Sequence, residues 1–106
     1  MNEIIEPIIK RGKNAKNNWE IYDEAEQFHT IFHIDNLTSP YVIINLPMNE
    51  LTNQQIAECG NLCKEHSKHK HIKVTMLYTE ISNTYKGNVL GQFIIKSDKL
   101  VKRFNI

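Results

Sequence analysis

Two runs of apolar and β-branched residues stand near the middle of the chain, at residues 30–34 and 41–46. The residues between them include Asp, Asn, Ser and Pro, so the pattern predicts a strand, a turn and a second strand. Val42, Ile43 and Ile44 are apolar at successive positions, as expected for a strand that is covered on both faces. We therefore predict that this hairpin forms the centre of a sheet.

Helices are predicted on both sides of the hairpin. Thr52 and Gln55 have the spacing of a capping box, and apolar residues at helical spacing follow, which predicts a helix over residues 52–67. Gly60 lies within the apolar stripe of this helix and predicts its close approach to the sheet. Upstream, Asn18 is a potential N-cap for a shorter helix over the residues that follow it.

Apolar and polar residues alternate over residues 72–79, which predicts a half-buried strand. Shorter strands are predicted at residues 91–95 and 100–104, and at the N-terminus, where Pro7 favours an edge position, while residues 82–88 are predicted to be a loop. This order predicts an α+β fold. It consists of a mixed, mainly antiparallel β-sheet packed with two helices, most simply on one face of the sheet.

The composition is that of an ordinary globular protein. With 106 residues, 41% of them hydrophobic and 24% charged, the chain is expected to form a single domain, residues 1–106. No apolar run approaches the roughly 20 residues that span a bilayer, and the N-terminus lacks a signal-peptide pattern. Two cysteines do not make a disulfide framework. We therefore expect a cytoplasmic protein that has no membrane partner.

The charged residues are segregated along the sequence. Residues 17–63 contain seven acidic residues and no lysine or arginine, so the rest of the chain holds all 13 basic residues against five acidic ones. The basic residues cluster at residues 10–16, 64–73 and 96–103. Either the fold brings these clusters together into one basic face, or they are three separate solvated stretches.

A group of cysteines and histidines invites comparison with a zinc site. Cys59 and Cys63 are followed by His66, His69 and His71. Zinc modules generally separate their two ligand pairs by a dozen or more residues, so that the chain can fold back around the ion. We therefore predict that the two cysteines are buried thiols without metal and that the histidines are solvated.

His33 and Asp35 are a candidate catalytic pair by residue type. Two residues apart on one strand, their side chains would point to the same face about 6.5 to 7 Å apart, which is too far for a direct catalytic pair. The sequence contains no phosphate-binding loop, dinucleotide-binding glycine pattern or nucleophile elbow. We therefore expect neither an enzyme nor a cofactor.

Four segments occur in an informative order. Residues 12–18 read GKNAKNN, the hairpin follows at residues 31–46, a strand containing Tyr and Thr lies at residues 74–79, and LGQF stands at residues 90–93. Together they resemble the NFACT-R domain, the RNA-binding module of ribosome-associated quality-control factors, which also occurs as small stand-alone proteins. The resemblance covers roughly residues 7–95.

Three residues of the hairpin depart from the family pattern. Ile31 stands where the family usually has tryptophan, Tyr41 where it has a second histidine, and Asn45 where it has arginine, whereas His33 is retained. Tyr41 is nevertheless able to stack on a base.

The resemblance implies a non-enzymatic RNA-binding module, for tRNA or ribosomal RNA, in translation or ribosome-associated quality control, with the ribosome or a protein as a further partner. Its expected phosphate contacts are Lys10, Arg11, Lys13, Lys16, Lys68, Lys70, Lys73 and Lys86. Its expected hydrogen-bonding or stacking residues are Asn14, Asn18, His33, Tyr41 and Asn83.

Two alternatives stay open from the sequence. A protein-interaction adaptor that keeps the fold without RNA binding is favoured by the three departures and by the acidic segment. A small nuclease or hydrolase built on His33 and Asp35 ranks last.

Overall fold

Seven strands and two helices lie in the part of the chain that the computed structural model describes, residues 6–106. The predicted N-terminal strand lies partly outside this part. The strands are β1 (Ile9–Arg11), β2 (Thr30–Ile34), β3 (Val42–Ile44), β4 (Thr75–Glu80), β5 (Thr84–Lys86), β6 (Phe93–Ile95) and β7 (Lys102–Asn105), and the helices are α1 (Ala15–Glu24) and α2 (Asn53–Glu65).

The main sheet has five strands in the order β1-β3-β2-β4-β7, and each neighbouring pair is antiparallel. The predicted hairpin is confirmed, because β2 is the middle strand and Thr30 and Phe32 pair with Ile44 and Val42 of β3. Strands β5 and β6 form a separate antiparallel pair. The α+β fold class is confirmed.

The two helices cover opposite faces of the sheet, so the expectation of helices on one face is wrong. Phe32 and Ile34 of β2 belong to a core cluster with residues of α2, whereas Ile31 belongs to a second cluster with Ile21 of α1. Successive strand residues point to opposite faces, so both sets of alternating positions in the hairpin are buried. This explains why Val42, Ile43 and Ile44 are all apolar.

Helix α2 begins as predicted. The Thr52 hydroxyl accepts a hydrogen bond from the Gln55 backbone N–H at 3.1 Å, and the Gln55 side chain accepts one from the Thr52 N–H at 2.9 Å. The close approach at Gly60 is also confirmed, because a Cβ there would lie 2.7 Å from the Phe104 ring on β7. The helix ends at Glu65 rather than residue 67.

Helix α1 begins earlier than predicted. Its N-cap is Asn14, whose Oδ1 accepts a hydrogen bond from the Asn17 N–H at 2.8 Å, so the assignment of Asn18 as N-cap is wrong. Asn18 lies inside the helix, is only 5% exposed, and accepts a hydrogen bond from the Tyr41 N–H at 3.1 Å. This bond ties α1 to the start of β3.

The segment predicted as a loop over residues 82–88 contains β5, so that prediction is wrong. Its backbone pairs with β6, and this non-local pairing gives no signal in such a short polar stretch. Strand β4 begins at Thr75 rather than residue 72, and Ile72 is 54% exposed. Within residues 6–106, no helix is long and apolar enough to cross a membrane.

Candidate functional site

A groove of 890 Å³ runs between segments that are far apart in the sequence. It is lined by the β1–α1 turn, the turn between β2 and β3, the residues after α2, and the β5–β6 hairpin. Arg103 on β7 holds one wall in place, because its guanidinium binds the Asp35 carboxylate at 2.9 Å and that of Asp98 at 2.6 Å. We call this cavity the groove.

Basic residues from both sides of the acidic segment meet at the groove. Arg11 and Lys13 line it from the β1–α1 turn, and Lys68 lines it from the residues after α2. Lys13 and Lys68, from the first two basic clusters, therefore line one cavity, as the first of the two alternatives has it. Lys16 is exposed on the first turn of α1 without lining the groove. Lys70 and Lys73 are exposed and lie outside the lining.

The first turn of α1 adds to the positive character of the groove. Asn14 and Ala15 at this end of the helix line it. The Asn17 side chain accepts a hydrogen bond from the Lys13 N–H at 2.9 Å, which fixes the turn. Helix N-termini carry unpaired N–H groups and a partial positive charge, so this end of α1 attracts anions.

His33 and Phe93 form an aromatic part of the groove wall. Both residues line the groove, and their ring centroids are 5.6 Å apart in an edge-to-face arrangement. Burial lowers the pKa of His33 to about 4, although the nearby Ile34 backbone and the Asp35 charge raise it slightly. The imidazole is therefore neutral at pH 7 and presents one donor and one acceptor nitrogen.

Tyr41 has no exposed ring surface for the base stacking that the sequence suggested. The residue is fully buried, and its ring packs against Trp19, Phe93 and His33 at centroid distances of 6.1, 5.1 and 5.7 Å. Burial raises the pKa of its hydroxyl. The hydroxyl lies near the Phe93 backbone but has no hydrogen-bond partner of good geometry within residues 6–106. The Tyr41 ring instead packs edge-to-face against Phe93 in the groove wall.

Asn83 is also a structural residue, and its predicted RNA contact is wrong. It is 5% exposed, its amide nitrogen donates to the Thr79 hydroxyl at 3.1 Å and the Ser97 carbonyl at 2.8 Å, and its oxygen accepts from the Ser97 N–H at 3.0 Å. These bonds use both donors of the amide and lock the start of β5 to the end of β6. Asn18 Oδ1 likewise already accepts a hydrogen bond, from the Tyr41 N–H, but Asn18 lines the groove.

Lys10 and Lys86, two more of the predicted phosphate contacts, also lie outside the groove lining and make ion pairs. The Lys10 ammonium pairs with Glu24 at 2.8 Å. The Lys86 ammonium pairs with Asp23 at 2.8 Å and lies 5.0 Å above the Trp19 ring. Exposed ion pairs contribute only about 0–1 kcal/mol, so each lysine can leave its acidic partner at little cost in free energy. The structure does not bring them to the groove with Lys13.

The cysteines are buried, as predicted. Cys59 and Cys63 are inaccessible to solvent, and burial raises the pKa of their thiols to about 12 and about 11. The Cys63 thiol donates to the Pro40 carbonyl at 3.2 Å, and no group of three or more potential metal ligands occurs within residues 6–106. The Asp35 carboxylate pairs with the Arg103 guanidinium.

The sequence did not identify the hairpin residues Leu90, Gly91, Gln92 and Phe93 as part of a site, although they line the groove. Gly91 has a φ of +77°, and its Cα lies against the first residue of α1, where a Cβ would be 2.8 Å from the Ala15 Cα. In β6, Phe93 and Ile95 share one face, and no local pattern in the sequence indicates that this face lines a groove.

Comparisons with known proteins identify a family and a shared fold. Residues 4–97 match the family model described as the NFACT protein RNA binding domain. Among solved structures, the C-terminal part of the fibronectin/fibrinogen-binding protein from Streptococcus suis is similar, with a TM-score of 0.82 and 21% sequence identity. The match covers 95% of this chain and 41% of that chain, and it shows a shared fold. No curated protein matches the sequence significantly.

Proposed function

Because this chain belongs to the NFACT protein RNA-binding domain family, we propose that it is a non-enzymatic module that binds RNA along the groove. The observation that carries this proposal is the meeting of Arg11, Lys13 and Lys68 around one cavity. These residues come from two segments on either side of the acidic stretch. Their convergence supports a site for a polyanion rather than solvated basic stretches.

The expected contacts divide by position. Arg11, Lys13 and Lys68 would neutralise phosphates directly, while Lys16, Lys70 and Lys73 would add charge from the surrounding surface. Asn14 and the Asn18 amide nitrogen would supply hydrogen bonds.

The RNA we propose is tRNA or ribosomal RNA, bound in translation or ribosome-associated quality control. The family resemblance supports this choice. Structured RNAs also offer phosphates from several directions, which suits basic groups on separate walls of one groove. The chain spans 41% of the length of the solved protein that it resembles, so the activities and partners of longer family members remain proposals for this chain.

A second candidate is a protein-interaction adaptor. The β5–β6 hairpin exposes apolar side chains on its outer face and tip, with Tyr85, Val89, Leu90 and Ile94 each between 42% and 58% exposed. An apolar surface of this kind is typical of a protein contact. If the chain is such an adaptor, substitution of the basic groove residues Arg11, Lys13 and Lys68 should leave its affinity for the protein partner unchanged.

Fluorescence anisotropy with a labelled structured RNA, such as a tRNA transcript, separates these candidates. We expect Lys13→Glu plus Lys68→Glu to weaken binding and to reduce the slope of log affinity against log salt by about two, one for each phosphate contact. The matched control is Lys99→Glu plus Lys102→Glu, which changes the charge equally at exposed positions outside the groove lining. Equal affinity losses in the two variants would contradict a groove site, and RNA binding that is absent altogether would favour the adaptor.

A further inference from the structure

The groove has two chemically different parts. Its rim carries the basic residues Arg11, Lys13 and Lys68, whereas its wall at β2 and β6 carries His33 and Phe93 beside other apolar side chains. A site that recognised only the phosphate backbone would need the rim alone. The aromatic wall, which packs on the buried Tyr41 ring, adds surface that suits a ligand with an apolar, planar part as well as phosphates.

We propose that the wall formed by His33 and Phe93 is a subsite for a single unpaired nucleobase, with the phosphates on either side of it held at the basic rim. This inference rests on the proposed RNA-binding function and specifies which kind of RNA the groove takes. It is RNA in which at least one nucleotide is unpaired, rather than a continuous duplex.

The dimensions of the groove support a base rather than a helix. At 890 Å³, it falls within the range of about 300 to 1,000 Å³ that is typical of small-molecule sites. A nucleotide fits such a volume, whereas a duplex keeps its bases stacked inside and presents only its backbone and shallow groove. Leu37 and Leu90 stand at the mouth of the cavity, are 38% and 58% exposed, and provide apolar surface for an inserted base.

Phe93 is the stacking residue that the geometry favours. It is only partly buried, it lines the groove, and it packs edge-to-face against the buried Tyr41 ring at a centroid distance of 5.1 Å. An aromatic side chain held in this way loses little entropy when a base packs on it. Bases of any identity stack on an aromatic ring, so Phe93 contributes affinity without choosing a sequence.

His33 adds hydrogen bonding to this subsite. Its neutral imidazole lies near the Ile34 and Ser39 backbone, and its unprotonated nitrogen can accept a hydrogen bond from a base edge. Gln92 and Asn18 also line the cavity and carry amide groups. These polar groups allow the subsite to distinguish bases once one has entered.

The test compares two RNAs that have the same number of phosphates. One is a blunt duplex, and the other is a duplex of the same length whose central base pairs are replaced by mismatches. We expect the wild-type chain to bind the mismatched duplex about tenfold more tightly, the contribution of one stacked base. Phe93→Leu keeps an apolar side chain against Tyr41 and should remove this preference.

Two further variants complete the experiment. His33→Gln keeps hydrogen-bonding groups but loses the ring, and it should reduce the preference for the mismatched duplex even if Phe93→Leu fails to fold. Tyr85→Leu is the matched control, because Tyr85 is 48% exposed and pairs with Ile94 on the outer face of the same hairpin, away from Phe93. It should leave the preference intact.

The outcomes separate the subsite from the proposed function. Equal binding of the two RNAs by the wild-type chain would overturn the subsite and leave RNA binding in place. Loss of the preference in Tyr85→Leu instead of Phe93→Leu and His33→Gln would also overturn it, by moving the base to the outer face. Failure to bind either RNA would overturn the proposed function and this inference together.

Discussion

Gly12 is the position where one added methyl group should have the largest effect for its size. A Cβ at this position would lie 1.8 Å from Asn18 Oδ1 and 2.9 Å from Asn18 Cγ. Gly12 does not have a positive φ, so contact with Asn18, rather than backbone strain, opposes an alanine. The Asn18 side chain must therefore move in Gly12→Ala.

The cost follows from the hydrogen bond that Asn18 makes. Its Oδ1 accepts from the buried Tyr41 N–H at 3.1 Å, and displacement of the side chain leaves that N–H without an acceptor. An unsatisfied buried donor costs about 1–3 kcal/mol. For a chain of this size each kcal/mol corresponds to about 4–8 °C in Tm. We expect Gly12→Ala to lower the free energy of unfolding by about 2 kcal/mol.

A double-mutant cycle measured by urea unfolding tests this reasoning. Asn18→Ala removes the same hydrogen bond and also the atoms that a Cβ at residue 12 would meet first. Gly12→Ala should therefore cost less in the Asn18→Ala background than in the wild-type chain, with a coupling of about 1 kcal/mol or more. Lys99→Ala, at an exposed position, is the control and should change stability by less than about 0.5 kcal/mol. Strictly additive effects would refute the proposed contact.

Three other expectations can be checked on the purified chain. Burial lowers the pKa of His33 from 6.5 to about 4, so as the pH falls the unfolded state takes up this proton before the folded state does. The contribution of His33 to the free energy of unfolding should therefore be full above pH 6.5 and fall by about 1.4 kcal/mol per pH unit towards pH 4. His33→Gln should flatten this slope in urea titrations, and an unchanged slope would contradict it. Gly91→Ala should cost more than about 1 kcal/mol in the same assay, because its φ is +77° and the Ala15 backbone blocks a Cβ, and wild-type stability would contradict this. Cys59 and Cys63 should react with a thiol reagent at pH 8 only as fast as the chain unfolds, and elemental analysis should find no stoichiometric zinc; fast labelling or bound zinc would show that these thiols are not inert.

Local signals in the sequence were sufficient for several elements. The bounds of β2 follow from its apolar run, and the start of α2 follows from the Thr52–Gln55 capping box, because both depend on neighbouring residues. The face that each helix covers depends on contacts between distant segments, so it could not be derived. The N-cap of α1 was misplaced because Asn14 and Asn18 are equally suitable by residue type, and only tertiary contact with β3 commits Asn18 to the core.

The same limit applies to the candidate site. The segregation of charge left open whether basic residues from the two flanks meet, and the groove shows that Lys13 and Lys68 do so. The burial of Tyr41 and Asn83 could not be predicted from the sequence, because Tyr and Asn are common both at RNA-binding surfaces and in polar parts of protein cores. Phe93 lines the groove only because the β5–β6 hairpin packs next to segments that are distant in the sequence, and a local pattern does not predict such packing.

An NMR titration of the isotope-labelled chain with a structured RNA tests the central claim most directly. We expect the backbone amides of residues 11–18, 33–40, 66–68 and 90–95, which border the groove, to shift together and to saturate at one RNA concentration. The amides of β7, at the far edge of the sheet, should move less. Shifts confined to β7 or to the outer face of the hairpin at Tyr85, with the groove amides unmoved, would contradict binding in the groove.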